Sequence, residues 1–132
     1  MTPFGARLRE LRTARRMTLS ELATLLAVSP AYLSALEHGK RGKPSRGLVR
    51  QICEVFDLIW DDAEALAELA DLSDPRPRID AAGLTPAQTA LANRFAKMLR
   101  LLSPETVAAI ETLIIATRSP RPSQRRPSQR RR

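Results

Sequence analysis

Eleven of the 22 Lys and Arg residues in this sequence fall in two runs, and these are the groups most able to bind another molecule. The first run contains Lys40, Arg41, Lys43 and Arg46. The second is the segment 118–132, in which seven arginines are interspersed with Ser, Pro and Gln. Because clustered Lys and Arg side chains attract phosphate, both runs indicate a polyanionic partner, and the formal net charge of +8 agrees with this.

The charge is also divided along the chain. Residues 1–50 hold ten Lys and Arg against three Asp and Glu, residues 51–117 hold five against eleven, and residues 118–132 hold seven against none. This segregation favours a nucleic-acid-binding protein with a basic contact face and an acidic scaffold behind it. For the segment 118–132 taken alone, a solubilising extension is the alternative.

The sequence offers little for catalysis or metal binding. Cys53 is the only cysteine and His38 the only histidine, so neither an internal disulfide nor a four-ligand zinc site can form. Cys53 lies among apolar residues, which favours a core position over a nucleophile. The carboxylates between 57 and 71 have no His or Cys beside them, and no glycine-rich phosphate loop occurs. We therefore expect no enzymatic activity and no cofactor or metal.

The length and hydropathy of the chain limit its class. At 132 residues it has room for one small domain and an appendage. No apolar run approaches the roughly 20 residues that span a bilayer, and the first residues lack the pattern of a secretory signal. We expect a cytoplasmic, nucleoid-associated protein with no membrane partner.

Apolar residues at helical spacing, with cap residues before them, predict an all-α protein. In the first half of the chain, Ser or Thr N-caps and prolines at first helical positions mark where helices begin. We expect five helices there: about 3–16, 19–26, 30 to Gly39, one after Ser45 and one from Asp61 or Asp62.

Two prolines after Ser73 break the helical pattern and predict a domain boundary. The five-helix domain is expected over residues 1–72 and a linker over 73–84. Residues 85–117 twice show an N-cap followed by proline, which predicts a helical hairpin. Its apolar stripes need a partner surface, either the five-helix domain or the same hairpin in a second chain. The tail 118–132 is expected to be disordered until it meets an anion.

The segment from Thr18 to Gly39 has the layout of a helix-turn-helix, with the basic run directly after it. It resembles the Cro/C1-type (XRE, phage-repressor-like) helix-turn-helix family. The matching motifs are Thr18-Leu19-Ser20-Glu21-Leu22-Ala23, Val28-Ser29, Tyr32-Leu33-Ser34 and Leu36-Glu37-His38-Gly39-Lys40. The resemblance covers about half the chain. It implies a repressor-like five-helix domain that binds double-stranded operator DNA, usually as a homodimer, and regulates transcription.

The resemblance also implies roles for individual residues. Arg12 and Glu37 match an ion pair that positions the recognition helix, which is the second helix of the motif. The residues placed to meet base edges are Ala31, Tyr32, Ser34, Ala35 and His38. The residues placed to meet DNA phosphates are Thr18, Ser29, Lys40, Arg41, Lys43 and Arg46.

The basic tail has no counterpart in this resemblance. We expect it to bind neighbouring duplex without reading the base sequence, because its arginines neutralise phosphates wherever these occur. These arginines are Arg121, Arg125, Arg126, Arg130, Arg131 and Arg132.

Three departures from the family pattern bear on function. Leu19 stands where the family commonly has a glutamine that holds a phosphate, so one clamp is missing. Ala27 stands where the turn usually has a left-handed glycine; this would cost about 1–2 kcal/mol, so we expect a slightly different turn. The family's base-reading slots fall at Pro30, Ala31, Ser34 and Ala35, and only Ser34 has a hydrogen-bonding side chain, which excludes bidentate pairing from them and favours readout of DNA backbone and shape.

The sequence leaves three functions open. The first is a dimeric DNA-binding transcriptional regulator. The second is an antitoxin-like autoregulator whose residues 85–117 hold a partner protein. The third is an architectural or interaction module that coats DNA without specificity or docks onto a protein.

Overall fold

The computed structural model describes residues 1–118, with side chains as far as Thr117. This part of the chain contains helices and no strand, which confirms the all-α fold class. The predicted disordered tail lies almost entirely outside the described residues. The helices are α1 Pro3–Ala14, α2 Leu19–Leu26, α3 Pro30–Glu37, α4 Arg46–Val55, α5 Asp61–Asp71, α6 Pro86–Met98 and α7 Pro104–Arg118, with a 3-10 turn at Leu99–Leu101 after α6.

Side-chain caps start most of these helices, as the sequence predicts. Thr18 Oγ1 accepts a hydrogen bond from the Glu21 amide at 3.0 Å, and Glu21 Oε1 accepts one from the Thr18 amide at 2.8 Å. The same reciprocal capping box begins α6 at Thr85. Each cap satisfies amides that have no partner within the first turn of a helix, so these boundaries are set locally.

Helix α5 begins without a side-chain cap. Trp60 occupies the N-cap position with φ 50° and ψ −122°, a strained conformation for a bulky residue, and its side chain is exposed. The first turn that follows contains Asp61, Asp62 and Glu64. Their negative charges interact favourably with the positive end of the helix dipole and compensate for the missing cap.

The described chain divides into two compact units, Met1–Arg78 and a second that begins at Ile79. In the first unit α1 packs on α3 and α5, α2 packs on α3 and α4, and α4 packs on α5. These contacts enclose one apolar core, so the five helices fold around a shared interior. The core residues are Phe4, Leu8, Leu22, Ala23, Leu26, Leu33, Leu36, Leu48, Val49, Ile52, Phe56, Leu66 and Ala70.

Ser73 belongs to the first unit, although the sequence assigned it to the linker. It is buried, its Oγ accepts a hydrogen bond from the Phe4 amide at 2.9 Å, and its hydroxyl donates to the Leu69 carbonyl at 2.6 Å. These bonds join the start of α1 to the end of α5. The first unit therefore extends past 72 to Arg78, and the second begins inside the predicted linker 73–84.

The second unit leaves its apolar side chains largely uncovered. Leu91 on α6 and Leu113 and Ile114 on α7 are more than half exposed, while Phe95 and Ile110 are partly covered. Helices α6 and α7 have few contacts with each other. Within the described residues of this unit, no side chain is fully buried, so the partner surface expected from the sequence is not supplied by the hairpin itself.

No single helix in residues 1–118 is both long and apolar enough to cross a membrane. The pair α2 and α3 meets the length and hydropathy requirement only when the two are joined, and they meet at a bend of 109°.

Helix α1 approaches the end of α3 more closely than an ordinary side chain would allow. The Thr2 amide donates to the Glu37 carbonyl at 3.2 Å. A Cβ added to Gly5 would clash with that carbonyl and would lie only 2.8 Å from the Glu37 Cα. Gly5 is therefore required at this crossing for its lack of a side chain, and the contact fixes where α3 ends relative to α1.

We predict that Gly5→Ala lowers the free energy of unfolding by about 1–3 kcal/mol, since the methyl group forces the two backbones apart. Gly47→Ala is the matched control, because a Cβ there has no neighbour within 4 Å. Alanine in α4 should be neutral or stabilising by up to about 1 kcal/mol. Urea denaturation followed by circular dichroism measures both; equal effects of the two substitutions would contradict the close approach.

Candidate nucleic-acid interface

Helices α2 and α3 are joined by a tight turn that retains a left-handed residue. Ala27 has φ 59° and ψ 42°, and the Val28 amide donates to the Ala23 carbonyl at 3.0 Å. The sequence predicted that alanine would impose a slightly different turn, and the structure instead keeps the left-handed geometry. Burial of Ala23, Leu26 and Leu33 around the turn accounts for this, because tertiary packing outweighs a local cost of about 1–2 kcal/mol.

An ion pair links α3 to α1. Arg12 Nε lies 3.5 Å from Glu37 Oε2, and the two side chains are 13% and 2% exposed. Arg12 Nη1 also donates to the Met17 carbonyl at 3.2 Å. Arg12 Nε and Glu37 Oε2 form no hydrogen bond with any described residue, so their contact is one of charge alone. The structure thus places the predicted positioning pair in the interior, beside the Gly5 crossing.

Four of the predicted base-edge residues share one face of α3. Ala31, Ser34, Ala35 and His38 follow helical spacing, with Ala31 and His38 exposed and the other two half-buried. The Nδ1–H of His38 donates to the Ser34 carbonyl at 2.9 Å, which holds the ring at the end of the helix. The groups available to a groove are two methyls, one hydroxyl and the second ring nitrogen, and none of them can form a bidentate base contact.

Tyr32 lies at the side of this face. Its ring is half-buried against the core and stacks under the Arg41 guanidinium, whose Cζ is 5.1 Å from the ring centroid. A cation held over an aromatic ring is oriented without being neutralised. Tyr32 therefore orients Arg41 beside the recognition helix in addition to packing.

The N-termini of α3 and α4 line one open groove. Ser29 Oγ accepts from the Tyr32 amide at 3.0 Å, and Ser45 Oγ accepts from the Leu48 amide at 3.1 Å. Both serines line the groove. Pro30 has no amide hydrogen, and the caps occupy the Tyr32 and Leu48 amides, so the groove offers an anion the positive ends of the two helix dipoles and the remaining first-turn amides. Ser45 was not among the predicted phosphate residues, although its N-cap position in the sequence is equivalent to that of Ser29.

The four basic side chains after α3 differ in whether they have an interaction partner. Lys40 and Arg46 have no side-chain partner among the described residues, and both are exposed. Lys43 Nζ lies 3.3 Å from Asp71 Oδ1, with both side chains at least half exposed. Such an exposed pair contributes under about 1 kcal/mol, so an anion can displace it. All four cations remain available for phosphate.

Thr18 is the phosphate candidate at the start of α2. Its oxygen is occupied as the acceptor of the capping box, and its hydroxyl hydrogen is still able to donate. Leu19 follows it and is half-buried, so only backbone amides and this hydroxyl are available at this end. The six tail arginines predicted to contact DNA lie outside the described residues.

Cys53 is half-buried at the edge of the core. Burial raises the pKa of its thiol, and the neighbouring Glu54 carboxylate raises this pKa further. Both effects disfavour the thiolate, the reactive form of cysteine, so Cys53 is poorly suited to act as a nucleophile.

A family profile described as "Helix-turn-helix domain" matches residues 3–67. The matched region contains α1 to α4 and most of α5, including the turn at Ala27. Residues 3–67 belong to the helix-turn-helix family. The family expected from the sequence motifs is confirmed, and the Cro/C1-type subdivision stays a prediction.

Three curated relatives each match about half of the chain. It is 39% identical over 67 residues to the uncharacterized HTH-type transcriptional regulator RghRB of Bacillus subtilis, a match covering 51% of this chain and 48% of that one. It is 38% identical over 61 residues to the HTH-type transcriptional repressor RghR of the same organism, a match covering 46% of this chain and 45% of that one. HTH-type transcriptional regulator RamB of Mycobacterium tuberculosis is 36% identical over 78 residues, a match covering 54% of this chain and 16% of that one.

The chain thus spans less than half the length of the curated relatives it matches. The names of these relatives are those of transcriptional regulators, which agrees with the expectation of a non-enzymatic protein. No solved structure matches the chain.

The domain at residues 3–67 contains a positioning residue outside the helix-turn-helix motif that sequence reasoning missed. Gly5 lies on α1, far from the motif in sequence, and only its contact with Glu37 shows its role. A glycine inside a predicted helix is unfavourable by up to about 1 kcal/mol, which could have indicated a packing requirement.

We predict that Arg12→Met costs about 3 kcal/mol of unfolding free energy, because Glu37 is left buried without its charge partner. Arg7→Met on the same helix is the control. It breaks the exposed Arg7–Glu10 pair and should cost under about 1 kcal/mol.

The double variant Arg12→Met/Glu37→Leu separates this electrostatic cost from lost packing. Replacing both partners removes the unpaired charge and should recover much of the stability in urea denaturation. If the double variant were less stable than Arg12→Met alone, the cost would have a cause other than the unpaired carboxylate.

Proposed function

We propose that this protein is a DNA-binding transcriptional regulator that binds duplex DNA as a homodimer in the cytoplasm, with α3 as the recognition helix in the major groove. The single observation that supports this most is the arrangement around α3. Its accessible face lies beside Lys40 and Arg41, and the anion-favouring groove at Ser29 and Ser45 adjoins its start. The family match and the named relatives support the same activity.

Phosphate contacts position the domain in this proposal. The α3 and α4 N-termini hold one stretch of backbone through amides, the hydroxyls of Ser29 and Ser45 and the nearby charge of Arg46. Lys40, Arg41 and Lys43 hold the backbone beyond the other end of α3, and the Thr18 end of α2 adds a weaker contact without the missing glutamine. Contacts of this kind fix register and orientation but do not read the base sequence.

Base reading contributes less than shape in this proposal. Ala31 and Ala35 can meet thymine methyl groups, and Ser34 can bond to several bases. The exposed ring nitrogen of His38 and the edge of Tyr32 reach the margins of the site. Without Arg–guanine or Gln–adenine pairs, discrimination depends on how easily a sequence adopts the required groove width and bend.

The arginine-rich tail 118–132 adds affinity in this proposal by neutralising phosphates on flanking duplex. Four of its seven arginines occur in a repeated pentad, Arg-Pro-Ser-Gln-Arg, which is rich in positive charge and has no apolar residue with which to build a folded reading surface. The tail therefore raises affinity for every DNA sequence alike.

A second candidate function is supported by the exposed apolar side chains of α6 and α7. An antitoxin-like autoregulator would cover residues 85–117 with a different protein, and this chain would then copurify with that protein.

An architectural module would bind cognate and random DNA with a ratio of affinities near unity, whereas specific binders prefer their sites by about a thousandfold or more.

The proposal is tested by selecting bound fragments from random duplex DNA with the purified full chain. We expect enriched sequences with dyad symmetry and half-sites about one helical turn apart, because two copies related by a two-fold axis present two recognition helices. If no sequence is enriched at about 150 mM salt, the proposal of a specific regulator is contradicted and the architectural module is favoured.

The phosphate contacts make a separate prediction. Lys40→Gln and Arg46→Gln, made singly, should each reduce the slope of log affinity against log salt by about 0.9, the value for one phosphate contact on duplex DNA. Arg15→Gln is the control. Arg15 contacts Val55 and Asp57 at the opposite end of α4 from the groove.

Fluorescence anisotropy over a salt series measures the slope for selected and random duplexes. The two substitutions should lower affinity similarly on both DNAs, and removal of 118–132 should do the same with a larger change in slope. Unchanged slopes for Lys40→Gln and Arg46→Gln would exclude these residues from the interface.

A further inference from the structure

Among the described residues, more large apolar side chains are exposed in the second unit than in the first. Nine large apolar side chains between Leu84 and Ile115 are each at least 42% exposed. A stable protein–protein interface buries about 800 Å² on each partner and has an apolar centre. The nine side chains are Leu84, Leu91, Met98, Leu99, Leu101, Val107, Leu113, Ile114 and Ile115.

Helix α7 is apolar around much of its circumference. At about 100° per residue, Val107, Ile110, Leu113, Ile114 and Ile115 are distributed over more than half of the helix surface. A helix of this kind needs neighbours on more than one side. Within one chain, the few contacts between α6 and α7 do not provide them.

The charges on the two helices have opposite signs. Helix α6 and the 3-10 turn after it contain Arg94, Lys97 and Arg100 and no acidic residue. Helix α7 contains Glu105 and Glu111 before its final arginine. None of these five side chains forms an ion pair with any residue in the described part of the chain.

We propose that two copies of this chain associate through this unit, with α6 of each packed on α7 of the other in a four-helix arrangement. In a two-fold interface, each contact between residues i and j occurs twice, so one chain must present both complementary surfaces. The basic α6 and the acidic α7 meet this requirement. Pairing α6 with α6, or α7 with α7, would place like charges together.

This arrangement specifies the partner surface of the homodimer in the proposed function. It forms without DNA, so the two can be tested separately. Two dimerised chains present two helix-turn-helix domains, which is what a DNA site with dyad symmetry needs.

The test reverses the charges of one helix at a time in the full chain. One variant is Arg94→Glu/Lys97→Glu, and the other is Glu105→Lys/Glu111→Lys. Each alone makes α6 and α7 carry the same sign, so the dimer dissociation constant from analytical ultracentrifugation should rise about tenfold or more. An equimolar mixture should restore affinity near that of the original chain, because the acidic α6 of one then meets the basic α7 of the other.

The matched controls change the net charge equally elsewhere. Arg76→Glu/Arg78→Glu and Glu54→Lys/Glu64→Lys lie in the first unit and are exposed. Each should leave the dissociation constant unchanged, alone or mixed, which separates local pairing from overall attraction between oppositely altered chains. Circular dichroism checks that every variant keeps its helical content.

Three results would overturn the proposed interface: a monomeric original chain, reversed variants that associate as the original does, or a mixture that does not recover. If the chain is a monomer that still selects a DNA sequence, the proposed interface is wrong and the proposed DNA binding is retained. If the chain dimerises as proposed but binds no DNA, the interface is retained and the proposed DNA binding is wrong. Tight binding of a different protein by a monomeric chain would replace the second copy with that partner.

Discussion

The close contact between α1 and the end of α3 determines where the recognition helix lies. Gly5 lets the backbone of α1 reach the Glu37 carbonyl, and the Thr2 amide bonds to the same carbonyl. Next to this crossing, the Glu37 carboxylate is buried beside Arg12. Backbone contact, hydrogen bond and ion pair all converge on one residue, so the C-terminal end of α3 has little freedom to move.

This fixed placement is important because α3 has few groups that recognise bases. A helix with arginine or glutamine at its base-edge positions could gain specificity from side-chain hydrogen bonds even with some freedom of orientation. In the proposed function, small side chains bring the helix surface close to the DNA, and discrimination comes from how well the whole domain fits a given groove. Fit of that kind requires a rigid presentation, which the α1 contact and the buried core provide.

The two units differ in how they satisfy the need to bury apolar surface. The five helices of the first unit enclose their own core, completed by the hydrogen bonds of Ser73 at the junction of α1 and α5. The second unit spreads apolar residues over two helices that leave most of them exposed. A chain with one self-contained unit and one incomplete unit is suited to a division of labour, in which the first contacts a ligand and the second contacts another protein surface.

The amino-acid sequence by itself determined where most helices begin and predicted a polyanionic ligand. Caps such as Thr18, Ser29 and Ser45 act through bonds within three residues, and the basic run contributes its charge wherever the chain places it, so both can be predicted from local pattern. The left-handed Ala27, the need for Gly5 and the inclusion of Ser73 in the core were decided only by tertiary structure. Each depends on a neighbour distant in sequence or on packing around it, and local spacing contains no information about which distant residues meet.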